Sequence, residues 1–232
     1  MNRIFAITVC ALALPGATLA ATRTYNTDAF EGVSVAAGIT ADISVGPTRS
    51  VLAETRSDNF DNLRISVKDN VLRIDRPASS WFSSWLGQRP SYQVHVVTPA
   101  LHSLAASSGA EVTLKGILEG DFSVSASSGS DVDVSGVKGG NVKMRASSGS
   151  EISIAGSCIS LEAEASSGSD LDADDLKCES VSLQASSGSD LSVAATKSVK
   201  GEASSGSDVR VKGRPPAVQV DTSSGANVMI RE

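Results

Sequence analysis

Ala106-Ser107-Ser108-Gly109 is a phrase that this chain repeats: the same four residues end at Gly129, Gly149, Gly168, Gly188 and Gly206, and Thr222-Ser223-Ser224-Gly225 closes the series. Successive glycines lie 20, 20, 19, 20, 18 and 19 residues apart. Each phrase is followed by a small residue, then an acid or Asn, then Val, Ile or Leu. A short fixed period of this kind is the signature of a solenoid in which every repeat builds one turn.

One repeat shows how a turn is made. Phe122, Val124 and Ala126 alternate with Ser123 and Ser125; Ser127-Ser128-Gly129-Ser130 interrupts; Val132 and Val134 then alternate with Asp131 and Asp133. Two short half-buried strands joined at a glycine corner, with a loose return loop at Ser135 to Gly140, account for that pattern. The phase recurs at Val142, Met144 and Ala146, at Leu161, Ala163 and Ala165, at Val181, Leu183 and Ala185, and at Val218 and Val220. Stacking the turns produces aliphatic columns with an alanine column beside the corner. The fold class expected is all-β: a single-chain parallel β-helix of about 18–20 residues per turn over 99–232, preceded by a β-rich portion over 21–98 whose longer turns cap it. The two parts read as one continuous domain.

Residues 1–20 read as an export signal: Arg3, an apolar run from Ile4 to Leu14, Pro15-Gly16 as a breaker, and Thr18-Leu19-Ala20 as a small-residue cleavage site. Ala21 stands where a lipoprotein would need Cys, and no later stretch has the roughly 18 apolar residues of a membrane helix. The expectation is an exported protein, periplasmic or extracellular at the cell surface, with no transmembrane segment in the mature chain. The net charge is −6 over 232 residues, and one unit more negative once Arg3 leaves with the signal. Such a surface repels phosphate backbones, which argues against a nucleic-acid partner. Aromatic residues make up only 4% of the chain, so the core is expected to be thin.

The last residue of the corner motif forms a column: Glu111, Asp131, Glu151, Asp170, Asp190 and Asp208, with Asn227 at its end. One reading is a cation ladder in which Asp131, Glu151, Asp170, Asp190 and Asp208 hold calcium. The other, expected here, is that each acid accepts backbone N–H groups at its own corner, as Asx residues do in turns. Like charges about 5 Å apart in water repel by only ~1 kcal/mol, so the column needs no metal. Cys158 and Cys178 each lie seven residues before the alanine of their repeat and so occupy one position on adjacent turns. They either form a disulfide, since stacked strands bring Cα atoms within bonding range, or remain two surface thiols.

A reactive constellation is not expected. Ser135 to Lys138 spells Ser-x-x-Lys, a chance match in a serine-rich chain without the companion motifs. His95 and His102 flank Pro99 and read as surface or edge residues rather than metal ligands. No pair of carboxylates is singled out for glycoside hydrolysis. The catalytic, cofactor and metal assignments are therefore none. One stretch remains unexplained by the repeat: Ser80-Trp81-Phe82-Ser83-Ser84-Trp85-Leu86, at about 78–91, holds both tryptophans of the chain. Trp81, Phe82, Trp85 and Leu86 would share one face at helical spacing, either as an anchor for a partner or as a lid on the solenoid. The far end of the stack is expected to be guarded by Arg231 and Glu232 behind Val228 and Ile230.

Phe30-Glu31-Gly32-Val33, the strand Asn70-Val71-Leu72-Arg73-Ile74, the junction Val97-Thr98-Pro99-Ala100-Leu101 and the following Ser-Gly-Ser turns together resemble the "putative auto-transporter adhesin, head GIN domain" family of bacterial exported proteins. The resemblance covers roughly residues 28–229. It implies a right-handed β-helical protein without an established enzymatic role and supplies no functional residues. The functional expectation is a non-enzymatic envelope or secreted module with an unknown protein or glycan partner. A polysaccharide-active β-helix enzyme and a calcium-stabilised repeat protein stand as the alternatives.

Overall fold

A computed structural model describes residues 20–77 and 90–231. All of its regular elements are strands: β1 (Ala21–Thr24), β2 (Gly32–Ala36), β3 (Thr40–Val45), β4 (Ser50–Thr55), β5 (Arg64–Lys68), β6 (Val71–Asp75), β7 (Tyr92–Thr98), β8 (Ser103–Ser107) and β9 (Glu111–Glu119) form the N-terminal part. They are followed by β10 (Phe122–Ser127), β11 (Asp131–Lys138), β12 (Asn141–Ser147), β13 (Glu151–Ser166), β14 (Asp170–Ala185), β15 (Asp190–Ala203), β16 (Asp208–Lys212), β17 (Ala217–Thr222) and β18 (Asn227–Arg231). The expected β-solenoid is the observed fold.

Two parallel ladders run the length of the stack and meet at the glycine corners. The strands that precede each corner pair in the order β6, β2, β8, β10, β12, then the later halves of β13, β14 and β15, and finally β17. Those that follow it pair as β7, β3, β9, β11, the earlier halves of β13, β14 and β15, then β16 and β18. The register steps by one sequence repeat, so chemically equal residues stand over one another: Val124 on Met144, Ala126 on Ala146, Val132 on Ile152. Alternation in each strand sends these residues inward. Val134, Met144, Ala163, Leu171 and Leu183 are all 0% exposed. The indels of the period fall in the return side, where the ladder shifts register at Ser135/Val137 and Ala173/Lys177.

The repeat begins earlier than the phrase reveals. Ala37-Gly38 takes the same left-handed pair of conformations, φ 65° and 66°, as Ser128-Gly129, φ 57° and 67°. Val35 lies on Ala106 and Thr40 on Glu111, which makes Ala37-Gly38 an eighth corner within the portion that reads as a cap. The stacking order also departs from the chain order. The β6–β7 turn sits outside β2–β3, and β8–β9 stacks on the inner side of β2–β3. Antiparallel strands then close that end: β5 on β6, β4 on β7, and β1 on β4.

The opposite end is open. Val218 and Ile230 belong to the interior columns, in register with Val199 and Val211, yet they are 38% and 52% exposed. The guard expected from Arg231 fails because no further turn covers these columns among the described residues; position 232 lies outside them.

Candidate functional site

The corner is the first place where side-chain chemistry recurs. Five of the seven glycines are followed directly by a buried serine: Ser130, Ser150, Ser169, Ser189 and Ser207 are at most 2% exposed, while Ala110 and Ala226 take the place at the first and last corners. Ser150 Oγ accepts from the Ser147 N–H at 3.1 Å and donates to the Ala126 carbonyl of the previous turn at 2.9 Å. Ser169 repeats this with Ser166 and Ala146, and Ser189 with Ser186 and Ala165. From Gly109 to Gly206, each corner glycine N–H in turn donates to a serine carbonyl of the next turn, as Gly129 does to Ser148 at 3.2 Å. The clasp is therefore the buried serine, which corrects the expectation that the acid after it stitches the corner. Strand alternation turns the acid's side chain outward, away from the corner N–H groups that the serine takes; the backbone contact of Asp170 is to Leu171, beyond the corner.

Those acids stand in register, Glu111 on Asp131 on Glu151 on Asp170 on Asp190 on Asp208 on Asn227. They make a single file rather than a cluster. Among the described residues no three His, Cys, Asp or Glu side chains are grouped so as to hold a metal ion. Asp170 feels the crowding: burial first, and then the neighbouring Asp190 and Asp172 carboxylates, raise its pKa above the ordinary value. Arg210 partly offsets this with an ion pair to Asp190 at 3.2 Å.

The outward face of the other ladder is flat and rich in hydroxyl groups. At its centre Arg145 grips Glu164 through two bonds of 2.8 and 3.0 Å, and Lys143 pairs with Glu162 at 2.8 Å. These cross-turn pairs arise because register places Lys143 on Glu162 and Arg145 on Glu164. The Arg145 guanidinium holds the Glu164 carboxyl below its ordinary pKa. A shallow depression of about 400 Å³ lies here, lined by Ser125, Ser127, Arg145, Glu164, Gln184 and Ser186. His95, in contrast, sits on the acidic side between Asp42 and Glu54, at 3.4 and 3.9 Å.

Trp81, Phe82, Trp85 and Leu86 lie outside the described residues, whereas Arg76, Pro90 and Tyr92 at the roots of their insertion lie within them. It leaves from the end of β6 and returns at β7, the place where every other turn has its glycine corner. Arg76 locks the two roots, donating through Nε to the Ala37 carbonyl and through Nη2 to the Pro90 carbonyl, both at 2.8 Å. Its guanidinium lies 4.8 Å over the Tyr92 ring. Tyr92 packs beside Phe60 at 6.3 Å, and Arg23 covers Phe60 at 4.7 Å. This alternating cation and ring pile stands at the capped end, next to the residues that flank the insertion.

A family model described as "Putative auto-transporter adhesin, head GIN domain" matches residues 29–215. The chain belongs to this family. Solved structures show the same fold around it. A "putative adhesin" from Bacteroides fragilis NCTC 9343 aligns with a TM-score of 0.77 at 12% identity, covering 93% of this chain and 98% of that one. A "putative lipid binding protein" from Parabacteroides distasonis ATCC 8503 gives a TM-score of 0.71 at 13% identity, covering 92% and 97%. A "putative adhesin" from Parabacteroides merdae ATCC 43184 gives 0.67 at 16% identity, covering 92% and 96%. No curated protein matches.

In this GIN-domain chain, sequence reasoning located the acidic column and the cysteine position. Cys158 and Cys178 are direct register partners, joined by a disulfide with Cα atoms 4.5 Å apart. The buried serine clasp and the Arg145–Glu164 pair escaped notice. The serine could have been found from its own recurrence after the glycine, and the ion pair from the 19-residue offset between Arg145 and Glu164, one repeat length.

Proposed function

We propose that this GIN-domain protein is an exported, non-enzymatic binding or structural module of the adhesin type. The observation that carries the reading is the arrangement of polar side chains on the outer faces. They stand in rows one per turn, among them the acidic row from Glu111 to Asp208 and the serine row Ser107, Ser127, Ser147 and Ser166, rather than converging on a cleft. Such rows suit contact with an extended protein or glycan surface, where many weak polar contacts add up. Membership in an exported adhesin-type family supports the placement outside the cytoplasm.

Partner contact is assigned to the insertion at the capped end, through Trp81, Phe82, Trp85 and Leu86. Aromatic anchors carry a disproportionate share of interface energy. The test is a glycan and protein binding array probed with wild type beside the Trp81→Ala/Trp85→Ala variant. Loss of a specific signal in the variant, with an unchanged melting curve, supports the reading. A hydrolase or lyase activity abolished by a point substitution would sink it.

A further inference from the structure

The open end of the stack has a definite shape. In β17 the inward residues are Val218 and Val220; in β18 they are Val228 and Ile230. Val218 and Ile230 are 38% and 52% exposed, although they continue columns whose next members, Val199 and Val211, are at most 1% exposed; beside them the outward-facing Met229 is 40% exposed. Both strands use only one edge: β17 pairs with β15 and β18 with β16. Alternate residues of both strands thus present bare N–H and C=O groups along this edge, beside an uncovered apolar interior, the condition under which a sheet edge recruits another strand.

We propose that this end docks on the same end of a second copy, tail to tail, around a two-fold axis through the Ser224-Gly225 corner. Three features of the end select that occupant. Head-to-tail stacking is blocked, since antiparallel β5, β4 and β1 close the other end. The tail is self-complementary: β17 runs into the corner and β18 runs out of it, so a two-fold rotation lays each against the other in antiparallel sense. With side-chain phase kept, Val218 faces Ile230 of the second copy and Val220 faces Val228, apolar on apolar. The outward residues then oppose as Gln219 with Met229, Asp221 with Asn227 and Ala217 with Arg231, so no like charges meet. The contact also continues the column-on-column packing already present between every pair of turns in the chain. A closed two-fold interface uses up the tail edge of both copies, which distinguishes it from fibre growth.

Sedimentation velocity of the purified full chain tests this, up to roughly 100 µM, where a dimer with Kd as weak as ~10 µM is mostly assembled. Wild type is expected to be dimeric, and Val218→Lys/Ile230→Lys to dissociate at least tenfold more readily. Ile159→Lys, which charges an exposed side chain away from the end, is expected to leave the dimer intact. The second arm fixes geometry and covers the case in which the lysine variant does not fold. Gln219→Cys/Met229→Cys should cross-link between copies under mild oxidation, whereas Gln219→Cys alone should not, because the axis separates the two copies of that position. A wild type that stays monomeric, a dimer indifferent to the lysines, or equal cross-linking of the single and double cysteine variants would each overturn the proposal.

Discussion

Ser150 Oγ donates a hydrogen bond at 2.9 Å to the carbonyl of Ala126, a residue of the preceding turn. The same oxygen accepts from the Ser147 N–H, so one buried hydroxyl ties its own corner and the one before it. Ser150→Ala removes both bonds and strands a buried donor and acceptor. It is expected to cost about 1–3 kcal/mol, read as a lower urea midpoint with an unchanged slope. Asp131→Ala, which removes an exposed neighbour, should have little effect in the same assay.

The two kinds of glycine should respond differently. At the Gly149 corner, φ is 66° and a Cβ would meet nothing within 4 Å, so Gly149→Ala costs only the left-handed strain, about 1–2 kcal/mol. At Gly156, φ is 144° and a Cβ would collide with the backbone of Val137. Gly156→Ala is expected to be several times more damaging, because two backbones must separate. Thermal melts of the two variants check this; equal losses would contradict it.

Reduction of the Cys158–Cys178 disulfide releases a loop of 20 residues. The expected loss is ~3 kcal/mol on the loop-entropy scale. Both cysteines lie mid-ladder, with Ser157 on Lys177 and Ser160 on Ser180 beside them, so the register should survive in Cys158→Ser/Cys178→Ser. A lowered melting temperature with an unchanged far-UV spectrum is the expected outcome.

Asp170 carries a raised pKa, first from burial and then from Asp190 and Asp172. Ionised Asp170 therefore weighs against the fold at neutral pH, fully so above its folded pKa, and the penalty disappears as pH falls through that value into the ordinary aspartate range. Asp170→Asn should raise stability at pH 7 by no more than about 1 kcal/mol, and the gain should close on acidification. Glu164 has the opposite sign: Arg145 lowers its pKa, so its contribution is present above the ordinary glutamate range and is lost as pH falls through the folded value. Melting curves from neutral to acid pH separate the two. A calcium-dependent rise in wild type that is absent from Asp170→Asn would instead assign cations to the column.

The seven Ser-Ser-Gly phrases determined the period, the two-strand turn, the inward columns and the outward acidic file, because a local pattern repeated in register has few ways to bury its apolar side. They also placed Cys158 and Cys178 on adjacent turns. Tertiary structure alone decided what depends on contacts between distant segments. Ala37-Gly38 is a corner without the serine phrase, recognisable only once Val35 lies on Ala106. The insertion of β6–β7 outside β2–β3 cannot be read from periodicity, since a repeat specifies that turns stack and not which turn lies beside which. The serine clasp is likewise a non-local bond: the motif names Ser150, but only the stacked neighbour supplies the Ala126 carbonyl that holds it buried.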